Sequence, residues 1–271
     1  MALIDNLVSH FTLDEASGNR ADSHGSNELA DVNTVASTTG VIDDAADFIA
    51  TNSERLNDLT FSLTDNETIS ISLWAKSTDL STAPGFLTLA PASTGTRDDV
   101  YFRVGTDAIS PGTRWRPAST DYNLDPSSYT STNNDDGNWH HYVYMLYNNG
   151  SSRGTIEVYY DGVQIGTTSH ASQPFAFKAL TKLYVGAHFN NFSGSISPYL
   201  TGSIDELGIW DKKLSTDEIA ELYNSGAGLA YPFTGGGSSI KTLNGIAIAN
   251  VKTWNGIPIA NIKTWNGISN V

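Results

Sequence analysis

The chain has 271 residues, 39% of them hydrophobic and 16% charged, which is enough apolar material for one large β domain or two ordinary ones and too much for a largely disordered chain. Its 29 acidic residues against 15 basic ones give a formal net charge of −14, so its surface repels phosphate backbones and anionic lipid; no nucleic-acid and no membrane partner is expected, and neutral glycans, cations or protein are favoured. Cysteine is absent, which removes disulfides, zinc-thiolate sites and thiol nucleophiles.

The opening MALIDNLVSHFTLDE has no basic segment followed by a long apolar run, so no signal peptide is expected, and no stretch reaches the length of a bilayer span. Sequons at Asn66, Asn149 and Asn191 matter only in a secretory pathway. In ETISISLWAK, two-residue alternation puts Ile69, Ile71 and Leu73 on one face of a strand and Ser70 and Ser72 on the other. NWHHYVYMLYNNG and GTIEVYYDGVQIGTT continue in kind, and Asp161-Gly162 predicts a two-residue hairpin turn between strands. His140 and His141 are adjacent on such a strand, point to opposite faces and cannot chelate one ion together.

One segment reads as a helix. LSTDEIAELYNSG offers Ser215 as N-cap, Glu218 as its capping-box partner and Gly226 as the stop. A single short C-terminal helix in a chain of many antiparallel strands predicts an all-β fold, a sandwich or a jelly roll. After Phe233, TGGGSS reads as a flexible linker, which divides the chain into a sandwich over 1–233, a linker over 234–239 and a β-repeat tail over 240–271.

The tail nearly repeats every eleven residues, with Lys241, Lys252 and Lys263 in register and one Asn-Gly turn in each of three units. Units this short cannot enclose a core. Ile246, Ile248, Trp254, Ile257, Ile259 and Trp265 form an apolar row that needs a neighbour, either the same tail in other copies, with a homotrimer preferred, or another protein.

LVSHFTLDEASGNRADSHGSNELADVNTV, DDAADFIA, ISISLWAK, GNWHHYVYMLYNN, IEVYYDGVQIGTT, LYVGAHFN and LTGSIDELGIWDKKLSTDEIAELYNSG follow one another as in the laminin-G-like, concanavalin-A-like lectin and glucanase superfamily, which residues 3 to 226 resemble. The resemblance implies a two-sheet antiparallel jelly-roll sandwich whose first and last strands pair, and a packed, hydrogen-bonded ring within the His140–His141 pair. It implies no single function, because the fold hosts lectins, adhesion modules, enzymes and passive structural domains. It also implies a structural calcium ion between the turn DSHGSN and the last strand, with Asp22, Gly25, Asn27 and Asp205 as oxygen ligands. The alternative is that Asp22 and Asn27 serve the turn backbone and Asp205 bonds the end of the first strand. The KTxNGI tail resembles arrays at the C-termini of tailed-phage structural proteins, which implies a place on a virion surface.

Glycosidases of this fold carry carboxylates at alternate positions of one strand, roughly 5 Å apart across a cleft. Here Asp205 and Glu206 are adjacent, with Ser203 where a partner carboxylate should stand, and Asp161, on the face of Glu157, is committed to the hairpin turn. NNFSGSISP is a polar loop and no serine elbow. A non-enzymatic protein is expected.

Sugar binding needs aromatic rings beside polar groups. The long aliphatic-poor segment SPGTRWRPASTDYNLDPSSYTSTNNDDG supplies Arg114, Trp115, Arg116, Tyr122 and Tyr129, and HFNNFSGSISPY supplies Phe189, Asn191, Phe192 and Tyr199. Packing of these loops on neighbouring subunits is the alternative. Trp74, Trp139 and Trp210 read as core or sheet-face residues. The sequence therefore favours a phage virion surface protein that displays a glycan-binding-like sandwich. A purely structural capsid decoration or head-fibre subunit is the second reading, and a bacterial adhesion module the third.

Overall fold

The computed structural model describes residues 2–63, 67–95, 99–104, 111–115, 122–124, 134–150, 153–170, 175 and 179–233, together with six short strands of the tail. In chain order the strands are β1 (Leu7–Phe11), β2 (Ala30–Val32), β3 (Ala36–Thr39), β4 (Asp44–Phe48), β5 (Arg55–Asp58), β6 (Thr68–Asp79), β7 (Gly85–Pro91), β8 (Val100–Val104) and β9 (Pro111–Trp115). They continue with β10 (Tyr122–Leu124), β11 (His140–Asn149), β12 (Arg153–Tyr160), β13 (Val163–His170), β14 (Leu180–Val185), β15 (Ala187–Asn190), β16 (Ser195–Tyr199) and β17 (Thr201–Trp210), followed by helix α1 (Thr216–Tyr223). Among the described residues, no helix is long and apolar enough to cross a membrane.

By contact the chain divides into Asn6–Tyr231 and a second unit made of Met1–Asp5 with Pro232–Val271. The larger unit is the sandwich. One sheet has eight strands, in the order β13-β12-β11-β6-β17-β4-β3, with β1 also paired to β17; the other has seven, in the order β10-β9-β8-β7-β14-β5-β2. Every pairing is antiparallel, and β1 lies against β17 with Leu7 opposite Trp210, as the resemblance implies for first and last strands.

The core lies between the two sheets and is filled by alternate residues of each strand. Ile69, Ile71 and Leu73 of β6 are fully buried there beside Leu87 and Leu89 of β7 and Leu183 and Val185 of β14. The other face of β6 is not left to water. The Ser70 hydroxyl donates to the Lys212 carbonyl at 2.5 Å, and Ser72 lies 2.8 Å from His141 Nε2. The ring of Tyr223, the last residue of α1, stacks on Trp74 with centroids 5.8 Å apart. The helix therefore covers the outer face of the eight-stranded sheet, and serines that alternation assigns to a polar side are buried by tertiary contact.

Local chemistry accounts for the connections. Asp161 and Gly162 both adopt positive φ, 48° and 76°, which is the primed turn a two-residue hairpin between β12 and β13 requires. At α1 the Glu218 amide donates to Ser215 Oγ and the Ser215 amide donates back to Glu218 Oε2 at 2.8 Å, closing the capping box. The helix ends earlier than the glycine predicts: Asn224 takes the left-handed conformation at φ 46°, which asparagine tolerates, and Gly226 lies beyond the end.

In the tail, three two-stranded ladders recur: β18 (Thr242–Leu243) with β19 (Ile246–Ala247), β20 (Thr253–Trp254) with β21 (Ile257–Pro258), and β22 (Thr264–Trp265) with β23 (Ile268–Ser269). In backbone register Leu243 is paired with Ile246, Trp254 with Ile257 and Trp265 with Ile268, each pair flanking one Asn-Gly. Ile248 and Ile259, and the linker 234–239, lie outside the described residues.

Candidate functional site

The two aromatic loop clusters are not the exposed surfaces their composition predicts. Trp115 sits on β9 opposite Val100, on the inward side, is 4% exposed and packs edge-on against Phe175. It is a core residue, so it cannot stack on a sugar. Arg114, on the other face of β9, is half-buried and donates from Nη1 to the Tyr101 hydroxyl at 3.0 Å. Phe189 is buried against Tyr184, with ring centroids 4.6 Å apart, in a small satellite core under the β15–β16 hairpin. Asn191 is buried and donates from Nδ2 to the Ser93 carbonyl at 2.9 Å, a structural role that also closes its sequon to modification. Tyr199 is half-buried, and Phe192 is 56% exposed. Arg116, Tyr129 and the side chain of Tyr122 lie outside the described residues.

The residues expected to hold calcium do not fit an ion. Asp22 Oδ1 accepts the amides of His10, His24 and Gly25 at 3.0, 3.0 and 2.8 Å, and its Oδ2 accepts that of Asn27 at 3.2 Å, so the carboxylate already organises the backbone of its own turn. Asn27 is held by a bond from Nδ2 to Ser9 Oγ at 2.7 Å. Asp205 Oδ2 accepts the amides of Val41 and Ile42 at 2.7 and 3.1 Å, so it ties down the β3–β4 turn and not the end of the first strand. The approach is close enough that a side chain on Gly40 would place its Cβ 2.5 Å from that oxygen. Among the described residues, no three His, Cys, Asp or Glu side chains converge on a point that could hold a metal. The turn reading of Asp22 and Asn27 is the one the geometry supports.

Asp205 and Glu206 are buried, at 0% and 6% exposure. A bulge separates Asp205 from Gly208 against β6, and Glu206 adopts φ 49°, so simple alternation does not govern this pair. Burial pushes the Asp205 carboxyl up to about 8, with Glu206 adding to the rise against the amides of Ile42 and Val41. Burial likewise pushes Glu206 up to about 8, reinforced by Asp14 and Asp43. His10 Nε2 lies 3.2 Å from Glu206 Oε2, yet burial pulls this imidazole down to about 4 against the pull of Asp22 and Asp14. Desolvation outweighs attraction for this imidazole, and Glu206 Oε2 makes no hydrogen bond despite the close approach. Carboxyls sealed in this way cannot reach a substrate.

His141 is buried beside Trp74 and bonded to Ser72, which is the packed ring the resemblance implies, and burial pulls it down to about 3. Its neighbour His140 lies on the opposite face between Asp161 Oδ2 at 2.8 Å and Asp136 Oδ1 at 3.3 Å. Glu157 Oε1 accepts from Lys213 Nζ at 3.0 Å and from the Tyr147 hydroxyl, and Asp161 Oδ1 accepts the His141 amide at 2.9 Å, so each carboxylate is tied into the sheet.

An open site lies elsewhere, at the end of the eight-stranded sheet on its outer face. Ser203 of β17 is opposite Asp47 of β4 on one side and Lys76 of β6 on the other. Ala75 pairs with His140, and Trp139, just ahead of β11, continues the row, with Lys76 Nζ 4.8 Å from its ring centroid. Trp139 is half-buried, a sheet-face indole, in contrast to the buried Trp74 and Trp210. Asp47, Ser203 and Lys76 line a cleft of about 310 Å³ with Phe48, Ile49, Ser77, Thr78, Gly137, Thr201 and Gly202. The narrow floor depends on glycine: Gly202 has φ 152°, and a Cβ there would collide with the Lys76 carbonyl. No local motif marks these residues. The parity of Lys76 with Trp74, and of Trp139 with His141, was the available signal for their face.

A protein-family model described as the concanavalin A-like lectin/glucanases superfamily matches residues 30–220. No curated protein matches the chain in sequence. Among solved structures, domain 4 of a GH43 extracellular arabinanase from Geobacillus stearothermophilus, in complex with arabinotriose, is similar with a TM-score of 0.56 and 20% identity, over 82% of this chain and 98% of that one. The binding domain of Paraclostridial Mosquitocidal Protein 1 gives 0.59 and 14% identity over 82% of this chain, and the binding domain of botulinum neurotoxin DC in complex with SialylT gives 0.55 and 12% over 83%. The chain spans about half the length of those two toxin domains, 53% and 52%. At such identities the likeness is one of fold, and it agrees with the paired sheets described above. Since the family match takes in most of the strands of both sheets and part of the helix that covers one of them, this chain belongs to the concanavalin A-like lectin/glucanase superfamily.

Proposed function

We propose that the sandwich binds carbohydrate without cleaving it and is displayed on a phage particle through its repeat tail. The observation that carries the binding half is the cleft: an indole, a carboxylate, an ammonium and a serine brought from four separated segments into one row beside an open cavity. The solved neighbours carrying arabinotriose or SialylT support the ligand class, as members of the same fold that present sugars. The non-catalytic half rests on Asp205 and Glu206, which are buried and serve structure. A glycan array probed with the whole chain tests the reading: retained glycans released unchanged are the expected result, and an array with no binding contradicts it.

The virion half rests on the tail. Its three hairpins are too small to bury an apolar face singly, and the reading is that like tails interleave as a trimer. Light scattering is expected to give three times 29.1 kDa for the full chain. A chain ending at Phe233 is expected to be a monomer. A monomer in both cases makes the tail a docking segment for another virion protein; a trimer in both places the contact in the sandwich and contradicts this account of the tail.

A further inference from the structure

We propose that the cleft beside Trp139 takes a neutral saccharide, gripping two adjacent hydroxyls between Asp47 and Lys76. The inference rests on the glycan-binding reading above and names the ligand class for that site. Asp47 and Lys76 have opposite charges, stand on either side of Ser203, and do not pair with each other. Asp47 Oδ1 accepts the Ser203 hydroxyl at 2.8 Å, and Asp47 lines the cleft. Lys76 Nζ is over the Trp139 ring and has no carboxylate partner among the described residues.

A sugar with neighbouring hydroxyls matches this arrangement, because one hydroxyl donates to the carboxylate while the next accepts from the ammonium. The C–H face of the same ring is suited to the half-buried indole beside them. An acidic sugar gains Lys76 but meets Asp47 and the field of a chain with net charge −14. An apolar ligand strips water from both charges and replaces none of it.

The experiment is a glycan array with the whole chain, followed by titration of the strongest neutral hit into the parent and into Asp47→Asn, Lys76→Gln, Trp139→Ala and Phe192→Ala. Folding is checked by melting curve, and the two polar substitutions are conservative enough to decide the matter if the tryptophan variant fails to fold. Loss of a charge-assisted hydrogen bond is expected to weaken binding by about tenfold or more in Asp47→Asn and in Lys76→Gln. Trp139→Ala is expected to fall by a similar factor. Full affinity in the cleft variants, or loss in Phe192→Ala instead, places binding elsewhere and overturns the inference while the glycan reading stands. Retention of acidic glycans alone overturns the neutral class. An array with no binding at all overturns the glycan reading and this inference with it.

Discussion

Replacing Glu218 by alanine is expected to destabilise the sandwich by about 3–5 kcal/mol, the cost of breaking a buried ion pair. Lys212 Nζ donates to Glu218 Oε1 at 2.6 Å, and both side chains are 7% exposed, so water cannot replace the carboxylate when it is removed. Burial alone would push the Glu218 carboxyl up, but the bonds from Lys212 and from Ser215 hold it below its ordinary value. The same side chain closes the capping box, which adds about 1 kcal/mol to its role. Loss of the α1 start also loosens Tyr223 from Trp74, so the damage spreads to the outer face of the eight-stranded sheet. Denaturant unfolding of the variant measures the effect. The double replacement Lys212→Met with Glu218→Met is expected to recover most of the loss, since it removes both charges from the interior. A loss below about 1 kcal/mol in Glu218→Ala would contradict the assignment of this pair as buried.

Raising the pH from 6.5 to 8 is expected to lower stability by about 3 kcal/mol, through Asp205 and Glu206 together. Their folded values, each about 8, lie above those of the unfolded chain, so the native state holds two protons that the unfolded state has released. Such a contribution is complete below the unfolded value and is lost as pH rises through the folded one. His10 and His141 have the opposite sign: burial lowers them to about 4 and about 3, so their cost to the native state disappears as pH rises toward 6.5. Between about pH 4.5 and 6.5 the two pairs oppose each other at ~1.4 kcal/mol per pH unit per group and stability stays level. Above 6.5 the histidines are neutral in both states and the carboxyls act alone. His140 adds to the fall: burial opposes its charge, but the bonds from Asp161 and Asp136 raise it overall. Glu206→Gln is expected to remove about half of the slope above pH 6.5 in unfolding curves taken across this range. An unchanged slope in that variant would mean that Glu206 is ionised in the native protein.

Much of the sandwich was legible because its signals are local. Alternation in β6, the Asp161-Gly162 turn and the Ser215–Glu218 box each specify a conformation within a few residues. The segment order identified the pairing of β1 with β17, which no local pattern contains. What escaped depends on long-range packing. Ser70 and Ser72 read only as the face opposite the isoleucines, and nothing local says that the segment from Lys212 to Tyr223 covers it from more than 130 positions along the chain. Trp115 and Phe189 read as loop aromatics, because composition cannot tell which side of a strand faces the second sheet or a hairpin. Asp22 offered calcium chemistry and instead spends its oxygens on four amides of its own neighbourhood. The cleft was illegible for the same reason, since Asp47, Lys76, Trp139 and Ser203 share a row only after four strands have found their registers.

The most direct test of the account is a crystal structure of the full chain grown with the strongest neutral saccharide from the array. The account predicts an intact sugar in the cleft, with adjacent hydroxyls on Asp47 and Lys76 and its ring toward Trp139. A sugar seated on another face, or found cleaved, would contradict it.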